Sequence, residues 1–119
     1  MIIVKGSIPV KAERREEAVA LIQILAEASR SEHGCLSYEV YIQADAPETI
    51  VIWQQWDSLD ALEEHFASEH VDHFLDAIPD LIEGEVTSAQ FDVQEAEWSE
   101  QDDPIEPPRV QYADNIVLH

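Results

Sequence analysis

A histidine near the middle of the chain is suited to proton chemistry, because the ordinary pKa of an imidazole lies near neutrality. His65, His70 and His73 follow the third predicted strand and fall on predicted helices. Residues three and four positions from His65 include Ala61 and Leu62, so His65 lies at the border of an apolar stripe. There its imidazole could orient a phenol or take its proton. The structural alternative is a packing or capping histidine with a satisfied hydrogen bond.

Aromatic side chains are the second kind of candidate, since flat rings stack well against flat ligands. Trp53 and Trp56 lie three positions apart on one predicted strand, so they point to opposite faces. One of them could line a substrate pocket while the other lies in an interface between subunits. Tyr38 and Phe66 are further candidates for contact with an aromatic ligand. All four are equally suited to a hydrophobic core.

Metal and redox chemistry have weaker support in the sequence. His70 and His73 share a helix face, so a metal-binding pair is conceivable, but no Glu-x-x-His motif accompanies them. We therefore predict no metal site. Cys35 is the one cysteine, so it can form neither an intramolecular disulfide nor a cysteine-based zinc cluster. It is best interpreted as a small buried residue at the start of a strand.

The first elements follow from hydrophobic periodicity. Residues 2–10 are rich in β-branched side chains and predict a strand. Residues 12–30 repeat apolar residues at three- and four-residue steps, as an amphipathic helix does. Residues 35–43 alternate and predict a second strand. One face of that strand carries Leu36, Tyr38, Val40 and Ile42.

The third predicted strand, residues 49–56, does not alternate. Its residues 50–53 (IVIW) form a continuous apolar run, which is typical of a strand covered on both faces. Because one layer of helices covers only one face, we expect a second copy of the protein to cover the other.

The remaining segments complete an α+β pattern. Residues 59–67 and a segment from residue 69 predict two helices, and residues 86–93 predict a last strand. This order predicts a ferredoxin-like, four-stranded antiparallel sheet with helices on one face. Residues 1–93 would form this domain. Residues 94–119, rich in acids and prolines, would form an acidic C-terminal extension.

The charge of the chain excludes several classes of partner. Its 119 residues include 26 acidic and 6 basic side chains, which give a formal net charge of −20. Such a field repels phosphate backbones and anionic lipids, so we expect binding to neither nucleic acid nor membranes. The acidity is compatible with plain solubility or with adaptation to high salt. The first residues lack the features of a signal peptide, so we expect a cytoplasmic location.

Two stretches carry a resemblance to a known family. Residues 56–70 (WDSLDALEEHFASEH) follow the third strand, and residues 31–36 (SEHGCL) join the first helix to the second strand. At this spacing they resemble the antibiotic biosynthesis monooxygenase family of dimeric α+β barrel proteins, over about residues 1–93. The resemblance implies a homodimer whose sheets pack face to face. It also places His65 at a position to which the family motif usually gives a histidine.

The resemblance narrows the activity to a few classes. Family members of known activity are mostly small oxygenases of quinol-like or polycyclic phenolic substrates, often without metal or flavin; others degrade haem, and one branch handles a bacterial signalling metabolite. The haem-degrading branch has an asparagine in the first strand, then a tryptophan and a histidine. Here the first strand has no asparagine, and the other two positions hold His65 and Leu75. Haem degradation is therefore not expected.

Together, these features predict a small monooxygenase that oxidises a quinol-like or polycyclic phenolic substrate with O2, without metal or flavin. We expect His65 to supply the proton or hydrogen-bond role. We expect a cavity between the sheet and the helices whose substrate-binding residues are Trp53, Trp56, Tyr38 and Phe66. The alternative is a non-catalytic dimeric module that binds a small aromatic ligand unchanged.

Overall fold

A computed structural model describes residues 1–94 and 96 of the chain. The elements are β1 (Ile2–Pro9), α1 (Arg15–Arg30), β2 (Cys35–Ile42), β3 (Thr49–Trp56), α2 (Leu59–Phe66), α3 (Glu69–Ala77) and β4 (Thr87–Asp92), with short 3-10 helices at Ala12–Arg14 and Ile78–Asp80. This order confirms the prediction. Apart from residues 94 and 96, the predicted extension lies outside the described residues. Within the described residues, no helix combines the length and apolar character needed to cross a membrane.

The sheet has the strand order β2-β3-β1-β4, and every neighbouring pair is antiparallel. The helices pack on one of its faces, and the apolar core lies between helices and sheet. The ferredoxin-like α+β fold predicted from the sequence is therefore confirmed.

Strand β3 divides its side chains between the two faces of the sheet. The residues buried under the helices are Ile50, Ile52, Gln54 and Trp56. Val51 and Trp53 point to the other face, where they are only partly buried. Trp53 and Trp56 therefore lie on opposite faces, as their spacing predicts. No described element packs over the face that carries Trp53.

The expectation that Leu36 shares a face of β2 with Tyr38 is wrong. The pairing of β2 with β3 shifts between Cys35 and Ser37, and this irregularity takes Leu36 out of the alternation. Leu36 is 55% exposed, whereas Tyr38 is 2% exposed. The regular alternation of β2 begins after the shift.

The turn between α1 and β2 is held against the start of α2. Gly34 has a φ of +85°, and a Cβ on it would lie 2.5 Å from the Cβ of Ala61 and 2.8 Å from Oδ1 of Asp57. The backbone N–H of Asp57 donates to the carbonyl of Gly34 at 2.9 Å. Glycine at this position thus brings the residues before β2 close to α2.

Serine caps fix the short helices α2 and α3. The hydroxyl oxygen of Ser58 accepts from the N–H of Ala61 at 3.1 Å, as an N-cap does. Ser68 caps α3 in the same way and also donates its hydroxyl to the carbonyl of His65 at 2.6 Å. These two bonds of Ser68 keep the end of α2 beside the start of α3.

Candidate active site

One carboxylate oxygen joins two histidines from consecutive helices. Nδ1 of His65, on α2, lies 2.7 Å from Oε2 of Glu32, and Nε2 of His70, on α3, lies 2.5 Å from the same oxygen. Glu32 comes from the turn after α1, 33 residues before His65. His65 is 2% exposed, while Glu32 and His70 keep side-chain exposures of 16% and 27%. The cluster therefore runs from the core to the surface.

The carboxylate of Glu32 determines which ring nitrogens carry protons. A carboxylate only accepts hydrogen bonds, so we assign a proton to Nδ1 of His65 and a proton to Nε2 of His70. Nε2 of neutral His65 is then left with a free lone pair. A second group that fixes the tautomer of an imidazole in this way is typical of histidines that act as bases.

Burial keeps His65 in its neutral form. Removal from water lowers the pKa of His65, and the neighbouring Glu32 carboxylate, which acts in the opposite direction, does not offset it. Nε2 is therefore able to accept a proton around neutral pH.

Aromatic rings enclose His65. Its ring centroid lies 4.7 Å from that of Trp56, 5.5 Å from that of Phe66 and 5.7 Å from that of Tyr38, which meets it edge to face. The His70 ring lies 5.9 Å away. Such packing holds the imidazole in one orientation and removes most of its surface from water.

A small cavity of about 170 Å³ opens beside His65. Its lining residues are Leu25, Tyr38, Ile52, Gln54, His65, Phe66, Val71, Phe74 and Leu75. No described residue forms a hydrogen bond with Nε2 of His65, yet the described chain has no fully buried side-chain nitrogen or oxygen without a partner. Nε2 therefore keeps some exposed surface, and His65 is one of the residues that line the cavity.

Gln54 is the other buried polar residue of the cavity wall, with an exposure of 7%. Nε1–H of Trp56 donates to Oε1 of Gln54 at 2.9 Å. Because an indole nitrogen only donates, this bond assigns the orientation of the Gln54 amide and leaves its NH2 group as a donor.

The structure brings some of the predicted site residues together and separates others. His65, Tyr38 and Phe66 share the cavity, with Phe66 half-exposed at its rim. Trp56 packs against the His65 ring but does not line the cavity. Trp53 lies on the opposite face of the sheet, so its expected place in a cavity between sheet and helices is wrong. The alternation of β3 is the physical reason.

The sequence analysis missed Glu32, His70 and Gln54 as members of the site. The sequence assigns Glu32 no role in the site, and it pairs His70 with His73 rather than with Glu32. One signal could have found Glu32: Cys35 pairs with Trp56 across the predicted antiparallel strands, so the turn before β2 must lie beside the start of α2.

The same cluster is the place where a metal ion could be held. The ligand atoms of Glu32, His65 and His70 all lie within 4.8 Å of one another. Two imidazoles and one carboxylate suit zinc or non-haem iron. A metal would have to replace the protons that now join both rings to Glu32. The His70–His73 pair considered from the sequence does not form a site, because His73 is exposed and outside this cluster.

A larger depression, of about 700 Å³, lies beside the start of β2. It is lined by Arg30, Cys35, Leu36, Ser37, Tyr38, Glu39 and Gln55. It is wide open to solvent, and none of the three cluster residues borders it. The smaller cavity at His65 is therefore the better candidate for chemistry, because there a buried base meets an apolar wall.

Comparison with known proteins agrees with this fold. A family model described as antibiotic biosynthesis monooxygenase matches residues 1–80. The chain belongs to the antibiotic biosynthesis monooxygenase family. Among relatives, sll1783 of Synechocystis sp. strain PCC 6803 is 37% identical over 81 residues, which are 68% of this chain and 55% of that protein. YcnE of Bacillus subtilis strain 168, whose name proposes a monooxygenase activity, is 31% identical over 100 residues, which are 84% of this chain and all of YcnE.

Solved structures of the family share the fold. A Deinococcus radiodurans protein, proposed to be an antibiotic biosynthesis monooxygenase, has a TM-score of 0.77 and 29% identity, over 83% of this chain and 98% of that chain. Rv0793 of Mycobacterium tuberculosis has a TM-score of 0.74 over 80% of this chain and 96% of its own, at 24% identity. At this identity, the similarity to Rv0793 indicates a shared fold alone.

Proposed function

We propose that the chain is a small monooxygenase that oxidises a quinol-like or polycyclic phenolic substrate with O2, with His65 as the base. One observation carries the proposal: a buried imidazole with a lowered pKa, oriented by Glu32, lines a small cavity whose wall is largely apolar. A base in a water-poor aromatic pocket suits the deprotonation of a phenol.

The reaction is balanced without a further reductant when the substrate is a quinol. Nε2 of His65 takes the hydroxyl proton, and the resulting phenolate is electron-rich enough to reduce O2. One oxygen atom enters the ring and the other leaves as water, so that hydroquinone and O2 give hydroxyquinone and H2O. The four electrons that O2 accepts all come from the substrate.

Neighbouring residues hold the base and shape the pocket. Glu32 stabilises the imidazolium that forms when Nε2 takes the proton, because the carboxylate already accepts from Nδ1–H. Burial raises the pKa of Tyr38, so its hydroxyl stays protonated beside the substrate. Phe66 covers the rim of the cavity and limits the entry of water.

Oxygen uptake by chelator-treated protein tests the proposal. A panel of hydroquinones and polycyclic phenols should give uptake above the spontaneous rate, and His65→Ala should reduce kcat/KM by about 10²-fold or more. The matched control is His73→Ala, since His73 is exposed on α3 and outside the cluster. Thermal unfolding of each variant separates catalysis from folding. If His65→Ala loses activity only in proportion to folded protein, His65 is not the base.

The same assay distinguishes the alternative, a non-catalytic module that binds an aromatic ligand. The cavity beside His65 would suit either role. A module would retain the ligand unchanged and consume no oxygen. Uptake that appears only after a divalent metal is added would instead assign the chemistry to a metal on Glu32, His65 and His70.

We further propose that two copies pair through the uncovered sheet faces. This face carries Ile3, Val51, Trp53 and Phe91, whose positions follow from the strand register. Phe91 is 49% exposed, and β4 is exposed along its whole length. Large apolar side chains on one open face are typical of a protein–protein interface.

A further inference from the structure

We propose that Glu32, His65 and His70 bind a divalent transition-metal ion, and that the bound ion prevents His65 from acting as a base. The ligands give the class of ion, since two imidazoles and one carboxylate suit zinc-like ions rather than magnesium or calcium. The loss of the base rests on the proposed function, whereas the metal site itself does not.

The two ring nitrogens of the cluster point toward one atom. Nδ1 of His65 and Nε2 of His70 lie 2.7 Å and 2.5 Å from Oε2 of Glu32, and the three ligand atoms lie within 4.8 Å of one another. The direction in which a ring nitrogen donates its N–H is also the direction of its lone pair once that proton has left. A metal ion beside the carboxylate would therefore meet both lone pairs.

Small movements convert this cluster into a metal centre. Zn²⁺ binds nitrogen and carboxylate oxygen at about 2.0–2.2 Å, so neighbouring ligands of a tetrahedral ion lie about 3.3 Å apart. The two contacts with Glu32 would therefore lengthen by less than about 1 Å. Glu32 and His70 are 16% and 27% exposed, so both can shift toward solvent while His65, 2% exposed, stays in place. Their exposure also admits water as a fourth ligand.

The backbone that carries the ligands is held without a metal. Ser68 caps α3 and donates its hydroxyl to the carbonyl of His65, which ties the two histidine-bearing helices together. The N–H of Asp57 donates to the carbonyl of Gly34, which ties the turn of Glu32 to the start of α2. Ligands that are positioned in advance lose little freedom on binding. The net charge of −20 also attracts cations to the chain.

Coordination changes which nitrogen of His65 carries its proton. A neutral imidazole has one N–H, and in the metal-free cluster Nδ1–H donates it to Glu32. When Nδ1 binds a metal, the proton of the ring lies on Nε2 instead. Because Nε2–H is a donor, it cannot accept the proton of a phenol. The metal-bound chain would therefore lack the base that the metal-free chain has.

Calorimetry with Zn²⁺ and the chelator-treated full chain tests the metal site. Excess Mg²⁺ in the buffer competes for exposed carboxylates but not for imidazoles. One Zn²⁺ per chain should bind, and His70→Gln and Glu32→Gln should each weaken its affinity about a hundredfold or more. The matched control is His73→Gln, which should bind Zn²⁺ as the unmodified chain does, because His73 is exposed and outside the cluster. Thermal unfolding of the metal-free variants checks that each is folded.

NMR of the imidazole nitrogens tests the change at His65 without turnover. The chemical shift of a ring nitrogen depends on whether it carries a proton, and His65→Gln assigns the signals of this ring. Saturation with Zn²⁺ should move the proton of His65 from Nδ1 to Nε2. Oxygen uptake with hydroquinone should fall in proportion to bound Zn²⁺ and return when a chelator removes the ion.

Each part of the inference has its own contrary result. Absence of saturable binding, or full affinity in His70→Gln and Glu32→Gln, would overturn the metal site. A proton that stays on Nδ1 of His65 in the saturated chain, or oxygen uptake that rises with bound Zn²⁺, would overturn the loss of the base. These results are distinct from failure of the proposed function. A chain that binds Zn²⁺ and moves this proton, but consumes no oxygen with or without the ion, contradicts the oxidation alone.

Discussion

The two faces of the sheet differ in the hydrogen bonds and packing contacts that their side chains make. On the helix-covered face, Gln54 and Trp56 are hydrogen-bonded to each other, and Trp56 packs on His65. On the open face, Trp53 belongs to neither the candidate site nor the apolar core, although it lies on the same strand. The pleat of one strand thus separates residues that support chemistry from residues available for assembly. Substitutions can test whether the two roles are really separate.

The largest expected effect is that of Glu32→Gln on catalysis. The substitution keeps the size of the side chain but removes the charge that fixes the His65 tautomer and stabilises its protonated form. We expect kcat/KM for quinol oxidation to fall about a hundredfold, while the free energy of unfolding changes by about 1 kcal/mol.

The control for this experiment is Glu27→Gln, which removes the charge of an exposed acid on α1. It should leave kcat/KM within about twofold, because a solvated charge is screened. Full activity of Glu32→Gln would mean that the carboxylate does not assist the base.

Trp53→Glu should disrupt the proposed dimer contact through the open face of the sheet. Removal of a large aromatic residue from an interface typically costs about 2 kcal/mol, so the dissociation constant of the dimer should rise about thirtyfold. Sedimentation velocity over a concentration series measures it. Anaerobic hydroquinone binding should persist, since Trp53 does not line the cavity.

Ile24→Glu is the matched control for Trp53→Glu. Ile24 is 63% exposed on α1, in the helix layer rather than on the open sheet face. It should leave the dimer intact. A Trp53→Glu protein that dimerises as before, or an unmodified chain that is monomeric at high concentration, would refute pairing through the sheet.

Gly34→Ala should destabilise the fold by about 1–2 kcal/mol, because alanine is strained at a φ of +85° and its Cβ would collide with Ala61. Urea unfolding measures the loss. Gly6→Ala serves as the comparison, since the nearest atom to a Cβ there is 3.9 Å away. Equal effects at the two glycines would show that the turn before β2 is not held as described.

The smallest expected effect is that of His65 on how the free energy of unfolding depends on pH. Because burial lowers the pKa of His65, the folded chain binds fewer protons at this residue than the unfolded chain does. The contribution of His65 to the free energy of unfolding is therefore full above pH of about 6.5, and it is lost as pH falls toward the depressed pKa.

Urea midpoints of the unmodified protein and His65→Gln, measured from about pH 5 to pH 8, isolate this contribution. The difference between the two should shrink as the pH falls. A difference that stays constant across the range would contradict the assignment of a depressed pKa to His65.

The sequence predicted what depends on local periodicity. The bounds of β3 agree with the structure at both ends, the opposite faces of Trp53 and Trp56 follow from a two-residue repeat, and His65 was found at the edge of an apolar stripe. The irregularity at Leu36 was not predictable from alternation, because it arises from pairing with another strand.

The members of the site that were missed depend on contacts distant in sequence. Glu32 meets His65 across 33 positions and His70 across 38, and no periodic pattern within one helix encodes such a meeting. Gln54 is one of two adjacent glutamines in β3, and the strand pattern gives neither of them a signal of function. The importance of Gln54 emerges only from the bond to Trp56 and from the cavity beside it.

The shared oxygen of Glu32 also has a consequence for how the chain folds. The turn after α1 and the helices α2 and α3 must all be docked before the two imidazoles can meet one carboxylate. Helix α1 can form from local contacts, but this junction requires closure of loops longer than 30 residues, which is slow relative to helix formation. No partly folded state with α2 and α3 undocked contains the oriented base. Recovery of oxygen uptake during refolding would therefore follow the last docking step rather than the first gain of helix.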